Sequence, residues 1–242
     1  MIDHISSKEN SSIKRYKSIL KNGDENYFVV EGFHLIEMAK AASCLVEVFL
    51  TEEKDFKGIK AHVIPFSLLK GMATSTNPEP ILGICKKKEM KMFTSNKGLL
   101  LDRVQDPGNV GTLLRSALCF GYKDVYLLNG CASIYNPKTI ASSQGAIFKL
   151  NIFSKLDGKK IIPLLKENGY VVYASALKDS LDFELIEELP KKYIICLGNE
   201  GIGMDKGNIN LCSSSLYINI DNMDSLNVGV AGSILMYGMN KK

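Results

Sequence analysis

Short apolar segments that alternate with amphipathic helical segments are the dominant pattern of this 242-residue chain. From residue 99 onward the alternation is regular, and apolar runs such as LLL (99–101) and YIICLG (193–198) are separated by segments of helical periodicity. Strands separated by helices form a mostly parallel sheet that is covered on both faces. The pattern therefore predicts an α/β fold whose ligands bind beyond the carboxyl ends of the strands.

The first part of the chain has its own, less regular α/β pattern. Residues 12–21 form a basic amphipathic segment, and the polar turn SNKG (95–98) precedes the first apolar run of the regular region. We therefore expect two domains, residues 1–94 and residues 95–242. The predicted helices are at 12–21, 33–42, 110–120, 159–168 and 226–240, with a short one opening at Asn136-Pro137 and a short segment near 181–188. The predicted strands are at 27–32, 47–51, 62–65, 82–93, 98–104, 124–128, 147–153, 170–175, 193–198 and 215–220.

Composition narrows the class of protein. The hydrophobic fraction of 45% and charged fraction of 23% are ordinary for a globular protein, and no apolar run approaches the roughly 18 residues of a membrane span. The polar N-terminus lacks the apolar core of a secretory signal, and the six cysteines are widely spaced without a CxxC pair. We therefore expect a cytoplasmic protein with free thiols and no membrane segment. The formal net charge of +4 is compatible with a polyanionic partner without establishing one.

The residue types after position 94 exclude several kinds of catalysis. All three histidines (4, 34 and 62) precede it, so the second region has no histidine base, no Ser-His-Asp set and no histidine metal ligand. No close pair of carboxylates stands in its loops, and we expect no metal site. The loops offer backbone amides, asparagine, serine, one arginine and one glutamate. Such groups suit a reaction whose electrophile arrives already activated, such as methyl transfer from a sulfonium.

Three loops rich in glycine and asparagine follow apolar runs. In DPGNVG (106–111) we expect Asn109 to cap helix 110–120 and Arg115 to point away from the apolar face of that helix. In DNMDSLN (221–227) either Ser225 or Asn227 can cap the last helix. The loop LGNEGIG (197–203) has a rival interpretation as a dinucleotide-binding loop. However, its order G-x-x-G-x-G is the reverse of the G-x-G-x-x-G fingerprint, and too few residues follow for a dinucleotide fold.

Taken together, the loops make the sequence resemble the SpoU family of the SPOUT superfamily of RNA methyltransferases. The family's Asn-x-Gly-x-x-x-Arg motif after Asp-Pro is matched by DPGNVGTLLR (106–115), and its Gly-x-Glu-Gly-x-Gly loop by LGNEGIG. Its Ser-Leu-Asn-Val run is matched by SLNVGVA (225–231), and NPKTIASSQGAIF (136–148) is similar to the segment between the first two motifs. The stretch NYFVVEGFHLIEMA (26–39) is similar to the family's N-terminal substrate-binding domain, so the match spans nearly the whole chain.

The resemblance implies a fold and a site. It implies a C-terminal α/β trefoil-knot domain preceded by a small α/β ribosomal-protein-like RNA-binding domain, and a homodimer through the C-terminal domain. S-adenosylmethionine would lie in the knot and leave as S-adenosylhomocysteine. The implied donor-binding residues are Ser175, Leu197, Gly198, Asn199, Gly201, Ile218, Leu226 and Asn227. The implied catalytic residues are Asn109, Arg115, Glu200, Ser225 and Asn227. The chain departs from the family pattern at Asn219, Ala141 and Gly238, and the stretch from Ile218 to Ser225 is one residue short.

The implied reaction is 2'-O-methylation of RNA, with ribosomal RNA favoured over tRNA as substrate. Arg115 would act as the base, although free arginine titrates above about pH 12, or would polarise the hydroxyl and hold a phosphate. Salt-sensitive binding of the RNA backbone is expected from six basic residues of the first domain, namely Lys14, Arg15, Lys17, Lys86, Lys87 and Lys88. The alternative is that these residues form a solvated charged face without a ligand. The competing hypotheses are an inactive RNA-binding protein and a methyltransferase that acts on another RNA atom.

Overall fold

The computed structural model describes residues 2–176 and 180–240, and the chain divides into two compact units, Met1–Glu89 and Met90–Lys242. Residues 90–95 belong to the second unit because Met92 and Phe93 pack against its core. Thr94 and Ser95 also donate backbone hydrogen bonds to the buried carboxylate of Asp124, at 2.7 and 3.1 Å. Among the described residues no helix is long and apolar enough to cross a membrane.

The first unit is built on a five-stranded mixed sheet with the strand order β1-β4-β3-β5-β2. The strands β1 and β3 pair in parallel with β4, and β5 pairs antiparallel with β2 and β3. The elements are β1 (Ile2–His4), α1 (Ser11–Asn22), β2 (Tyr27–Glu31), α2 (Phe33–Ala41), β3 (Leu45–Leu50), β4 (Lys60–Val63), α3 (Phe66–Lys70) and β5 (Ile81–Lys86). Asn10 caps α1 through its side chain, and Ile13 and Tyr16 of that helix are buried against Phe49 and Ile84. The predicted helices at 12–21 and 33–42 are confirmed, whereas β1 and α3 were not predicted.

The second unit contains a seven-stranded sheet with the order β10-β12-β9-β11-β6-β7-β8. Every strand pairing in its described part is parallel, which confirms the predicted sheet type. Its strands are β6 (Lys97–Leu101), β7 (Asp124–Leu128), β8 (Asn151–Leu156), β9 (Val171–Ser175), β10 (Leu181–Asp182), β11 (Tyr193–Leu197) and β12 (Ser214–Tyr217). Its helices are α4 (Pro107–Cys119), α5 (Pro137–Ser143), α6 (Gly158–Glu167), α7 (Lys206–Leu211) and α8 (Val228–Asn240).

Two predictions for the second unit are wrong in detail. The strand expected at 147–153 begins only at Asn151, because Gln144 and Gly145 adopt left-handed backbone conformations and Ala146–Phe148 form a buried 3-10 turn. Asn109 does not cap α4. The helix starts at Pro107, and the side chain of Asp106 caps it by accepting a hydrogen bond from the Asn109 amide at 2.9 Å. Asn109 is therefore inside the first turn, and its side chain is available for other contacts.

The order of the strands gathers the three loops at one edge of the sheet. The central strand β11 lies between β6 and β9, and β12 lies on the other side of β9. Because all four strands run in parallel, the segments that follow β6, β11 and β12 all leave from the carboxyl edge. These segments contain the Asp-Pro-Gly-Asn loop, the glycine-rich loop and the Ser-Leu-Asn loop.

Candidate functional site

A cavity of about 540 Å3 opens at this carboxyl edge, within the range of about 300–1,000 Å3 that is typical of small-molecule sites. Backbone groups of the glycine-rich loop and apolar side chains make up much of its lining. Most of the predicted site residues lie in its wall: Ser175, Leu197, Gly198, Asn199, Glu200, Gly201, Ile218, Ser225 and Leu226. Three predicted residues, Asn109, Arg115 and Asn227, are not part of the lining. Met204, Leu216 and Asp224 also line the cavity and were not predicted.

Asn199 holds the glycine-rich loop in shape. Its side-chain oxygen accepts hydrogen bonds from the amides of Gly201 and Ile202 at 2.9 and 3.1 Å. Its side-chain nitrogen donates to the carbonyl of Arg103 at 2.9 Å, which ties the loop to the end of β6. The backbone of Asn199 also pairs with that of Gly203. These hydrogen bonds fix the backbone of the loop that lines the cavity.

The three loops are joined by a chain of hydrogen bonds through polar side chains. Asn109 donates from Nδ2 to Glu200 Oε1 at 3.0 Å and accepts from Asn227 Nδ2 at 3.0 Å through its own Oδ1. Asn227 in turn accepts from the amides of Gly229 and Val230 and so caps α8, as one of the two predicted alternatives had it. The chain orients both asparagines, because each amide group has its oxygen and its nitrogen assigned by a partner.

The carboxylate of Glu200 is kept ionised by its surroundings. Partial burial raises the pKa of Glu200, but hydrogen bonds from the Asn109 side chain and from the amides of Asp106 and Gln105 outweigh it, so the pKa lies below its ordinary value. All three partners are donors, which favours the charged form. Glu200 therefore acts at neutral pH as a hydrogen-bond acceptor that orders the site, rather than as a proton donor.

Small residues bring α8 close to α4 and to the end of β11. A Cβ at Gly232 would collide with the terminal methyl groups of Leu113 and Leu197, so any larger residue would require these side chains to move. The hydroxyls of Ser116 and Ser233 also lie 2.7 Å apart between the two helices. This packing places the first turn of α8 beside the first turn of α4, where Asn227 and Asn109 meet.

Arg115 lies on the exposed side of α4, away from the buried Leu113, Leu114 and Ala117, as its position in the helical pattern predicted. Within the described residues its guanidinium has neither a hydrogen-bond nor an ion-pair partner. An arginine that is not engaged within its own chain keeps its planar set of donors available for a phosphate or a hydroxyl. It stands on the same helix as Asn109.

Two aspartates that sequence reasoning did not single out organise the edge of the sheet. Asp102 is buried directly after β6 and accepts from the Asp205 amide, from Asn208 Nδ2 and from Arg103 Nε at 2.8, 3.1 and 3.0 Å. Asp106 caps α4 and forms an ion pair with Lys138 at 2.9 Å. A charged residue directly after the apolar run LLL was the signal in the sequence for Asp102.

The basic residues proposed to bind RNA lie in the first unit. Arg15 pairs with the buried carboxylate of Glu47 at 2.9 Å and lies over the ring of Tyr27, so its guanidinium is engaged in the fold. Tyr27 is also the β-sheet partner of Lys86, the first residue of the lysine run (residues 86–88). Because Arg15 belongs to α1 and lies over Tyr27, helix α1 and the lysine run are near each other. Of the other five proposed residues, one is half-buried, Lys87, and four are exposed: Lys14, Lys17, Lys86 and Lys88.

All six cysteines are free thiols, of which three are buried. In residues 2–176 and 180–240, no group of three or more His, Cys, Asp or Glu side chains is placed to hold a metal ion.

The departure from the family pattern at Gly238 has a packing reason. A Cβ at this position would collide with the ring of Phe183, which is buried against α8 from the 3-10 turn Phe183–Leu185. The departures at Ala141 and Asn219 are at exposed positions, and nothing in the structure explains them.

Glu200→Gln should weaken the link between the loops. Glutamine would place an NH2 group against partners that are themselves hydrogen-bond donors. We therefore expect the free energy of unfolding to fall by about 1 kcal/mol, which lowers the melting temperature by about 2–4 °C. A lowered pKa means that Glu200 stabilises the folded state above its unfolded pKa and loses this effect as the pH falls through the folded value. Urea unfolding at several pH values should therefore show a difference from wild type that is full at pH 7 and disappears in acid.

The control for this prediction is Glu188→Gln, which removes an exposed carboxylate outside the site. It should leave the unfolding free energy unchanged. Equal stability of the Glu200→Gln variant and the wild type at pH 7 would show that the carboxylate does not hold the loops together.

The fold and the cavity define an α/β protein that binds a small ligand at the carboxyl edge of a parallel sheet. Residues 96–237 match the SpoU rRNA Methylase family. Over 96% of its length the chain is 31% identical to the 23S rRNA (guanosine(2553)-2'-O)-methyltransferase RlmP of Bacillus subtilis (strain 168), of which it covers 97%. The chain belongs to the SpoU rRNA methylase family, and the resemblance inferred from the motifs is confirmed.

Solved structures share this fold. An rRNA methyltransferase from Sinorhizobium meliloti superposes with a TM-score of 0.89 at 20% identity, over 99% of this chain and 98% of that chain. The SpoU methyltransferase AviRb from Streptomyces viridochromogenes, in complex with the cofactor AdoMet, superposes with a TM-score of 0.84 at 18% identity, over 96% of this chain and 98% of that chain. At these identities the likeness shows a shared fold and nothing more.

Proposed function

We propose that this chain transfers a methyl group from S-adenosylmethionine to the ribose 2'-hydroxyl of an RNA, and that ribosomal RNA is the substrate. The observation that carries the proposal is the Glu200–Asn109–Asn227 chain of hydrogen bonds, which joins the three motif loops beside one cavity. Membership of the SpoU family and the 2'-O-methyltransferase name of the Bacillus subtilis relative support the reaction and the substrate.

The cavity suits the methyl donor by the chemistry of its lining. Leu197, Ile218 and Leu226 offer apolar surface for a flat ring system, and Gly198 and Gly201 bring backbone to the cavity wall without side chains in the way. Ser175 adds a hydroxyl at the end of β9. When bound, S-adenosylmethionine supplies a methyl group that is activated by its sulfonium charge. The protein therefore has to bind and orient rather than to generate an electrophile.

Polar residues in and beside the cavity wall suit the acceptor. The 2'-oxygen attacks the methyl carbon while the bond from sulfur to carbon breaks, sulfur keeps the electron pair, and the hydroxyl proton leaves. Holding the three atoms in line supplies much of the rate. Arg115 either accepts the proton as a neutral guanidine, or, as a guanidinium, polarises the hydroxyl and holds the adjacent phosphate while solvent water takes the proton. Glu200 and Asn109 join the loops by a hydrogen bond, and Ser225 is part of the cavity wall.

In this proposal the segment from β11 to α8 forms the trefoil knot of the SPOUT superfamily, with the donor bound inside it. The close approach of the glycine-rich loop to Met204 and of α8 to Leu197 supports a tightly folded segment at this edge. The first unit binds the RNA and selects the target through α1 and the lysine run. The proposal also includes a cytoplasmic location, which the six free thiols support.

The protein also acts as a homodimer in this proposal. Val230, Ile234 and Tyr237 lie on one side of α8 and are 49%, 37% and 48% exposed, which leaves an apolar stripe on a helix next to the site. Ile234→Glu should convert the dimer to a monomer in light scattering after size-exclusion chromatography. The matched control is Phe66→Glu, an exposed apolar side chain of the first unit, which should leave the mass unchanged. A wild-type protein that elutes as a monomer at all concentrations would contradict the proposal.

The reaction is tested with ribosomal RNA and tRNA that lack modifications. The wild-type protein and methyl-labelled S-adenosylmethionine should give label in ribosomal RNA, and nuclease mapping should place it at a 2'-O-methylated nucleotide. Label on a base would identify a methyltransferase for another RNA atom, and label in tRNA alone would correct the substrate class. RNA binding without transfer, with the donor bound in calorimetry, would identify an inactive RNA-binding protein.

A further inference from the structure

Arg103 occupies a backbone conformation that arginine rarely adopts. It directly follows the buried Asp102 at the end of β6 and has a φ of +58°, in the left-handed region that glycine or asparagine enters more easily. Gly130, after β7, leaves room for its side chain, since a Cβ there would lie 3.0 Å from Arg103 Cγ. Residues whose backbone is held in such rare conformations concentrate at functional sites.

The backbone role of this residue does not require arginine. The carbonyl of Arg103 accepts a hydrogen bond from Asn199 Nδ2, and any residue in the same conformation would offer the same carbonyl. Asparagine or glycine would do so with less strain. The backbone therefore does not account for an arginine at this position, and we infer that the guanidinium has a role of its own.

The side chain is held along one edge and open along the other. Its Nε donates to Asp102 Oδ1 at 3.0 Å, and Asp102 is fixed in turn by the Asp205 amide and Asn208. The two terminal NH2 groups have no hydrogen-bond or ion-pair partner in the part of the chain that the structure describes, and 31% of the side chain is exposed. A guanidinium that is oriented in this way and keeps two free donor groups suits a phosphate.

The position of Arg103 connects it with the site but separates it from the donor. Gln105, two residues further on, donates its amide to Glu200, and Asn199 lies between Arg103 and the cavity. Arg103 itself is not part of the cavity wall. The exposed Lys155 at the end of β8 adds a second cation to the same edge of the sheet.

From these contacts we propose that Arg103 binds a backbone phosphate of the RNA beside the methylated nucleotide and so positions the substrate. The inference rests on the proposed function. It assigns an RNA contact to the catalytic unit, in addition to the basic residues expected in the first unit. Asp102 pre-orients the guanidinium, so the contact costs little ordering when the RNA arrives.

Arg103→Asn removes the guanidinium and leaves the backbone conformation intact, because asparagine tolerates the left-handed region. The variant therefore tests the role of the side chain alone. With in vitro transcribed ribosomal RNA, we expect the KM for RNA to rise about tenfold, whereas kcat and the Kd for S-adenosylmethionine stay as in wild type. Binding of a labelled poly(U) 20-mer, followed by fluorescence anisotropy, should weaken, and its log–log salt slope should fall by about 0.7. The poly(U) binding measurement tests the role of Arg103 even if the wild-type protein transfers no methyl group. Failure of this inference is therefore distinguishable from failure of the proposed function.

Two further variants complete the test. Arg103→Gly also removes the strain and should repeat the asparagine result, which guards against a fold defect that is specific to one variant. Lys191→Asn removes one positive charge from the opposite edge of the sheet and should leave poly(U) binding unchanged. Wild-type RNA binding and an unchanged salt slope in both Arg103 variants would overturn the proposal. The remaining role of the guanidinium would then be its hydrogen bond to Asp102. A weaker Kd for S-adenosylmethionine with unchanged RNA binding would also overturn it, in favour of a contact to the donor.

Discussion

Arg115→Lys should lower kcat/KM for methyl transfer by about 100-fold or more, which corresponds to about 2.7 kcal/mol of transition-state stabilisation. Lysine keeps the positive charge but loses the planar set of donors that can contact a hydroxyl and a phosphate together. Binding of S-adenosylmethionine should stay within about twofold of wild type, since Arg115 does not line the cavity. Single-turnover transfer and calorimetry with the donor measure the two quantities separately.

The same variant distinguishes the two roles considered for Arg115. If this position accepts the proton, the residual rate of the lysine variant should rise with pH toward the range where lysine titrates, near about 10.4. If it orients the hydroxyl and phosphate, the residual rate should not follow that titration. Cys119→Ser, at another exposed position of α4, is the control and should turn over like wild type. Undiminished turnover of the Arg115→Lys variant would remove Arg115 from the mechanism.

Much of the second unit was predictable because local patterns and tertiary structure agree there. The apolar runs that became β7, β9 and β11 are bounded by turn residues, and Asn136 caps α5 where Asn-Pro predicted a helix start. Asn227 likewise caps α8. A short polar side chain before an apolar helical segment satisfies free amides whatever the rest of the fold does, so such features are visible in the sequence.

The order of the strands was not predictable from periodicity. Apolar alternation shows that a segment is buried, but it does not show that β11 lies between β6 and β9. That order creates the contact between Glu200 and Asn109, which are 91 residues apart in the chain. The motifs indicated that the three loops belong together through a family resemblance, whereas the hydrogen bonds that join them depend on tertiary packing.

The wrong predictions have local causes. Both Asp106 and Asn109 are good helix caps, and the prediction chose Asn109 without weighing the proline that follows Asp106. Asp106 takes the position because Pro107 fits the first turn of α4, where a missing amide hydrogen costs nothing. Residues 146–148 are apolar enough for a strand, but the left-handed residues before them turn the chain into the core. Burial was predicted correctly there, and the backbone conformation was not.

Gly198→Ala should abolish most donor binding, because the close approach at this point involves backbone on both sides. A Cβ at Gly198 would lie 2.7 Å from Met204 Cα and closer still to Met204 N and Gly203 C, and none of these atoms can rotate away. Forcing the loop open should cost about 1–3 kcal/mol or more. Because Gly198 begins the loop that lines the cavity, we expect the Kd for S-adenosylmethionine to rise by about 30-fold or more and the melting temperature to fall by several degrees.

Two glycine substitutions show whether this effect depends on the close approach or on glycine replacement in general. Gly71→Ala, in the first unit, adds a Cβ whose nearest neighbour is a carbonyl oxygen at 3.5 Å, and its backbone is right-handed helical, so both stability and donor binding should match wild type. Gly201→Ala, in the same loop as Gly198, adds a Cβ 3.7 Å from Asn199 Oδ1, an ordinary contact, and should keep the wild-type melting temperature. If Gly198→Ala binds the donor as well as Gly71→Ala does, the loop that follows β11 is not the donor site.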